Sequence, residues 1–285
     1  MKAVGFWQPG ESTSVIEDLS LPHPSMPKGR DLLIRVRAVA VNPRDLKSRR
    51  NISPSAGNPV VMGYDASGVV EATGPDVTLF RPGDHVFYAG VLDRQGANAE
   101  FQLVDERITG IKPAALSFEA AASVPLTGLT AWEMLFDRLQ LSVNGDADQT
   151  LLMLGGAGGV PCMAIQLART LSRVNIIGTA SRQESVRAVR GFGAHYVLDH
   201  SCALAPQVAS LAGLPPITRI FSTYTTAICL GKYGRNYCPT RPYRTHRRPL
   251  NHWLLRLIKF KSVSVHWEAM FTRPMHATAD MSKPA

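Results

Sequence analysis

Through the first 120 positions, hydrophobic residues alternate with polar ones or run in short apolar bursts. "DLLIRVRAVAVN", "ASGVVEATG", "DHVFYAG" and "AEFQLVD" lie between stretches rich in Pro and Gly such as "PSMPKGRD" and "FRPGDHV". Period-two patterning, β-branched residues and this punctuation predict an all-β unit with few helices. At "LSFEAAASVPLTGLTAWEMLFDRL" the apolar spacing becomes helical, with Ser117 placed as an N-cap and Glu119 and Glu133 near helix starts. The type then alternates. "TLLMLG" reads as a strand, 160–171 as a helix, "VNIIGTAS" as a strand, 183–191 as a helix, and "AHYVLD" and "TRIFST" as further strands. Strands separated by helices of that length predict βαβ units and a parallel sheet. No internal repeat or low-complexity tract interrupts the pattern.

With 285 residues, 45% of them hydrophobic, the chain can fill two cores. It has no 18-residue uncharged apolar stretch, and its first residues read as a strand and turn rather than a signal peptide. The expectation is a cytoplasmic protein with no membrane partner. Net charge is +9, but it is concentrated: from His200 to Trp267 there is no Asp or Glu, while ten Lys and Arg residues fall in that span. The rest of the chain is nearly neutral, so the basic character belongs to one segment. Cys162, Cys202, Cys229 and Cys238 form no CxxC pair, which leaves neither a disulfide framework nor a zinc knuckle. Cys229, Cys238, His246 and His252 are ligand-type residues, but eight, seven and five intervening residues match no compact metal site.

The sharpest local signal is "TLLMLGGAGGVPCMAIQLA", residues 150–168. Gly156, Ala157, Gly158, Gly159, Val160 and Pro161 form a G-x-G-x-x-G fingerprint whose last member is changed. A strand precedes it and a helix follows, the setting in which backbone N–H groups and the helix dipole hold a pyrophosphate. At the end of the next strand, "GTASRQES" offers Ser181 and Arg182 and no acid before Glu184. A hydroxyl and a guanidinium suit a 2′-phosphate, where a carboxylate would repel it, so NADPH is the expected cofactor. Read without a ligand, the same turn is a tight strand-to-helix connection and Arg182 a solvated side chain. Pro161 near the first helical turn breaks no intrahelical bond, yet it removes an N–H that could face the phosphate and biases Val160 away from the α region.

Several motifs in order, "VRAVAVNPRDLKSR", "VMGYDASGVVEATG", "FRPGDHVFYAG", "NAEFQLVDER", "AASVPLTGLTAWEML" and "GGAGGVPCMAIQLAR", resemble the medium-chain dehydrogenase/reductase superfamily. The likeness is to its zinc-independent quinone oxidoreductase branch, and within it to the zinc-type alcohol dehydrogenase-like group. The resemblance implies an α/β architecture: a GroES-like β domain at 1–122 and a Rossmann doubly wound parallel sheet domain at 123–273, with 274–285 a shortened return to the β domain. It places the active site in the cleft between the domains. Zinc-dependent relatives carry a Cys and a His-Glu pair where this chain has Asn42 and Tyr64-Asp65, so no metal site is expected. By resemblance, Asn42 sits beside the nicotinamide and the substrate oxygen. Thr127 and Thr130 bond near the nicotinamide ribose and phosphate, and Tyr64 and Tyr88 wall the cleft or donate to a carbonyl. Asn42 and Asp45 read equally as turn formers, and Tyr88 as core. The implied reaction is hydride transfer from NADPH to a quinone or an α,β-unsaturated carbonyl, with hydrogen bonds holding the developing oxyanion and water supplying the proton.

The stretch 224–258 departs from this pattern. "YTTAICLGKYGRNYCPTRPYRTHRRPLNHWLLRLI" has prolines at 239, 242 and 249 and no acid, against both a helix and a central strand. Because family-like sequence resumes at 259, we read it as a shifted reading frame between two compensating insertions or deletions. The alternative is a basic arm that binds RNA or an acidic partner by phosphate pairing and aromatic stacking, although no recognised nucleic-acid fold accompanies it. A third reading, prompted by the end at "ATADMSKPA", is a catalytically disrupted relative. A homodimer through the Rossmann sheet edge is also implied, with "SVSVHW" at 262–267 as its strand.

Overall fold

The computed structural model describes residues 1–55, 57–223, 264, 266 and 268–276. The expectations for 224–258, for Cys229, Cys238, His246 and His252, for a complete strand at 262–267 and for 277–285 lie outside the described residues. The chain divides into one unit of Met1–Leu126 with Phe271–Ala285 and a second of Thr127–Met270.

The first unit is built on antiparallel strands, as the period-two patterning requires. They are β1 (Lys2–Phe6), β2 (Glu17–Ser20), β3 (Asp31–Val39), β4 (Val60–Val61), β5 (Asp65–Thr73), β6 (His85–Ala89), β7 (Phe101–Asp105) and β8 (Thr109–Ile111). The order β7-β3-β5-β6-β8 makes a five-stranded sheet, and β2-β1-β4 a three-stranded one. Leu32, Ile34, Ala66, Val70, Val86, Tyr88 and Val104 close the larger sheet's core. Two helices lie within this unit, α1 (Pro43–Asn51) and α2 (Phe118–Ala122), and α3 (Pro125–Trp132) runs across the boundary at Leu126. Ser117 caps α2 as expected, its side chain accepting the Ala120 N–H. Helix α1 was not signalled by apolar spacing: Leu46, 47% exposed, is the one aliphatic side chain in "PRDLKSRRN". Local capping at Asn42 and Pro43 starts it, and Arg49 ties it down by donating to the Gly10 and Glu11 carbonyls.

In the second unit, β9 (Thr150–Leu154), α4 (Gly159–Leu171), β10 (Asn175–Thr179), α5 (Gln183–Gly191), β11 (Tyr196–Leu198), α6 (Leu204–Ala209) and β12 (Ile217–Ser222) alternate. The strands pair in parallel in the order β11-β10-β9-β12, the Rossmann-type sheet of the expected fold class. β9 is buried along its whole length. Leu151 and Met153 face the cluster built with Ala164, Ile165, Ala168 and Val189, while Leu152 and Leu154 face the one containing Leu198, Leu204 and Ile220. That two-sided burial is why "TLLML" reads as a continuous apolar run. Gly178 in β10 allows the closest helix approach, since a Cβ there would stand 2.3 Å from Val189 Cγ1 of α5. Helix α7 (Thr272–His276), which belongs to the first unit, closes the described chain. Among the described residues no helix is long and apolar enough to cross a membrane.

Candidate functional site

The sequence-selected residues fall into two groups, one in each unit. In the first unit the group forms around the start of α1, where Asn-Pro-x-Asp supplies a helix N-cap, a proline at the first helical position and an acid at the third. The Asn42 backbone N–H donates to Asp45 Oδ2 at 2.7 Å, and Asp45 Oδ1 accepts the Gly63 N–H at 3.2 Å. Asp65, the fully buried first residue of β5, receives the Asn42 side-chain amide on Oδ2 at 2.9 Å and the Leu126 N–H on Oδ1 at 2.9 Å. The same carboxylate therefore holds both the Asn42 side chain and the Leu126 backbone.

Two tyrosines complete this group. Tyr64 is buried and donates to Ser48 Oγ at 2.8 Å, and Tyr88, at the sheet core, donates to Gln102 Oε1 at 2.8 Å. The arrangement has an electrostatic cost. Burial pushes the Asp65 carboxyl up to about 7 against its two hydrogen bonds, and the neighbouring Asp45 adds to the rise. Burial also raises Asp45, Tyr64 and Tyr88. Glu106 shows the contrast within the same unit. It too is fully buried, but Arg30 pairs with it at 2.5 Å and the Thr78 and Leu79 N–H groups donate to its other oxygen.

In the second unit the glycine turn joins β9 to α4. Gly155 takes φ +72°, a left-handed conformation that glycine adopts without strain. The Gly155 and Gly156 N–H groups donate to Thr179 Oγ1 and O, each at 2.9 Å, so the turn is tied to the end of β10. A Cβ on Gly156 would meet Val189 Cγ2 at 3.0 Å, which fixes a bare backbone there. Gly158 is the N-cap of α4, and the first helical bond runs from Cys162 N–H to Gly158 O at 2.9 Å. The N–H groups of Ala157, Gly159 and Val160 find no partner among the described residues, and Ala157, Gly158 and Gly159 are exposed. Such a bare, donor-rich helix start fits a dinucleotide pyrophosphate.

Pro161 is the third helical residue, buried, and lacks only an N–H that no helical carbonyl could have accepted. The bias it places on Val160 is overridden, for Val160 is helical. Thr127 lies beside the turn, since a Cβ on Gly159 would meet its Cγ2 at 3.4 Å, and Thr130 is buried. Ser181 and Arg182 are exposed just past β10, Arg182 forming the N-cap of α5. No sequence signal pointed to Ser48 or Thr179, or to His200, whose Nδ1 lies 3.2 Å from Thr179 Oγ1, and Asp65 was marked only as standing where metal-dependent relatives carry a ligand. Among the described residues no group of three His, Cys, Asp or Glu side chains could hold a metal ion.

The chain is similar in sequence and fold to known proteins. The alcohol dehydrogenase GroES-like domain family matches residues 28–128. A zinc-type alcohol dehydrogenase-like protein of Staphylococcus aureus strain COL is 39% identical over 287 residues, spanning 99% of this chain and 84% of that one. A quinone oxidoreductase of Pseudomonas aeruginosa is 37% identical over 179 residues, 62% of this chain and 53% of that protein. A crystal structure from Rhizobium etli CFN 42, described as a zinc-dependent alcohol dehydrogenase protein, superposes with a TM-score of 0.89. It is 46% identical and covers 99% of this chain and 82% of its own.

Proposed function

Since the chain belongs to the medium-chain dehydrogenase/reductase superfamily, in its zinc-type alcohol dehydrogenase-like group, we propose that it is an NADPH-dependent, zinc-independent cytoplasmic oxidoreductase. Its substrate is a quinone or an α,β-unsaturated carbonyl. The observation that carries the cofactor half is the glycine turn, whose unpaired N–H groups on Ala157, Gly159 and Val160 can receive phosphate oxygens, with Thr127 beside them. Ser181 and Arg182 at the end of β10, with no acid between Thr179 and Gln183, suit a 2′-phosphate. When bound, the dinucleotide supplies the hydride. The substrate gains that hydride and one proton from water. Asn42, held by Asp65, orients the substrate oxygen, Tyr64 walls the site, and Thr130 helps to place the cofactor ribose.

The name zinc is not carried over to this chain. A catalytic zinc needs three first-shell ligands, and Asn42, Tyr64 and Asp65 stand where the metal-dependent relatives place theirs, with Asp65 already engaged by two protein donors. Relatives named quinone oxidoreductase support the substrate class. A homodimer remains part of the reading. The test is a fluorescence titration with NADPH and with NADH at one moderate salt concentration, followed by quinone turnover. NADPH-selective binding with turnover is expected. Binding of neither cofactor would overturn the reading in favour of a disrupted relative.

A further inference from the structure

Among the described residues of the first unit, one buried side-chain donor has no hydrogen-bond partner. The Tyr64 and Tyr88 hydroxyls are donated inward to Ser48 and Gln102, and the Asn42 amide is donated to Asp65. Arg44, two positions beyond Asn42 in the first turn of α1, is half-buried. Its guanidinium carbon lies 5.9 Å from the centre of the Tyr64 ring and 5.7 Å from that of Phe271. Those two rings meet edge to face at 5.7 Å. Among the described residues Arg44 makes no ion pair, and its Nε is buried with no hydrogen-bond partner. Stacking on rings accommodates the guanidinium faces but gives the in-plane Nε–H no acceptor. A buried donor without an acceptor is costly and uncommon, and it marks a place where a further group belongs.

We propose that Arg44, Tyr64 and Phe271 form a subsite for a planar carboxylate attached to a conjugated or aromatic skeleton, so that the preferred substrates of this chain are carboxylate-bearing quinones or enones. The identity of those substrates rests on the reductase reading, whereas the anion subsite does not. The chemistry is matched on both counts. A guanidinium fork pairs a carboxylate with two parallel N–H···O bonds, and the Tyr64 and Phe271 rings offer apolar walls to the attached π-system. Two arginines of the same helix are already committed, Arg49 to the Gly10 and Glu11 carbonyls and Arg50 towards Glu11 at 4.0 Å.

Calorimetric titration of the full chain with benzoate, and with benzamide as the neutral isostere, tests the subsite. Benzoate should bind the wild type and prefer it to Arg44→Gln by about tenfold or more, the loss of a charge-assisted pair. Arg44→Lys, which keeps the charge but not the fork, should fall between them, Arg50→Gln should match the wild type, and benzamide should bind more weakly than benzoate. In turnover, the preference for a carboxylate-bearing benzoquinone over its neutral parent should shrink by a similar factor in Arg44→Gln. No benzoate binding to the wild type, or equal binding to Arg44→Gln, overturns the subsite and leaves Arg44 as a packed cation. Benzoate binding that depends on Arg44, in a chain that turns over no quinone, overturns the reductase reading and keeps the subsite.

Discussion

The polar group around Asn42 and the glycine turn before α4 use hydrogen bonds in opposite ways. Around Asn42, almost every donor is matched from within: Asp45 with Asn42 and Gly63, Asp65 with Asn42 and Leu126, Tyr64 with Ser48. At the turn, the strand side is closed by Thr179, while the N–H groups on the helix side stay open. The first arrangement sets geometry at the cost of burying two carboxylates, and the second gives up internal satisfaction to keep a receptor ready. Rigidity and receptivity are thus divided between side chains in one unit and backbone in the other.

The strongest way to break this contrast is Asp65→Ala. It removes the Asp65 oxygens that accept from the Asn42 amide and the Leu126 N–H in a buried place, and at pH 5 it should cost about 4 kcal/mol in urea unfolding. An equal stability for both proteins would show that the closed network is not closed in solution. The next effect is one of pH. With the Asp65 carboxyl raised to about 7 from 3.8, the folded chain binds its proton more tightly than the unfolded chain. Stability from this group is therefore complete below about pH 4 and declines as the pH rises through 7. Relative to Asp65→Asn, the wild type should lose on the order of 3 kcal/mol across that window, and parallel pH curves would contradict the assignment.

The turn side is tested by smaller changes. Arg182→Ala should lower the ratio of NADPH to NADH affinity by about tenfold, the worth of one charge-assisted hydrogen bond; an unchanged ratio would return Arg182 to the solvent. Pro161→Gly restores one N–H at the open helix start and should tighten NADPH by about 1 kcal/mol, with binding no better than wild type removing the proline from the account. That variant sharpens the contrast, because it adds a donor to the open side alone.

Much of this was legible in advance, and unevenly so. β9, α4, β10 and α5 were readable because both burial pattern and glycine punctuation pointed the same way. The helix over "PRDLKSRRN" was hidden because it has no apolar stripe and owes its start to capping, which the same Asn and Asp also offer to turns. Asp65 was visible only as the replacement of a metal ligand. Its double role depends on Leu126, 61 positions away, a pairing that no local pattern encodes. Arg44 is harder still to find, since "NPRD" looks like a solvated turn until Tyr64 and Phe271 are brought beside it.

The contact of Gly178 with Val189 has a consequence for mutational scanning. Val189 and Arg182 ride on the same helix, α5, one in its last turn and the other at its cap. A side chain at position 178 would lift that helix from the sheet and swing the guanidinium out of register. Screens that score discrimination between NADPH and NADH should therefore recover hits at a glycine in the strand interior that touches neither nucleotide. Such hits would be false leads for anyone designing a coenzyme switch from the binding face alone.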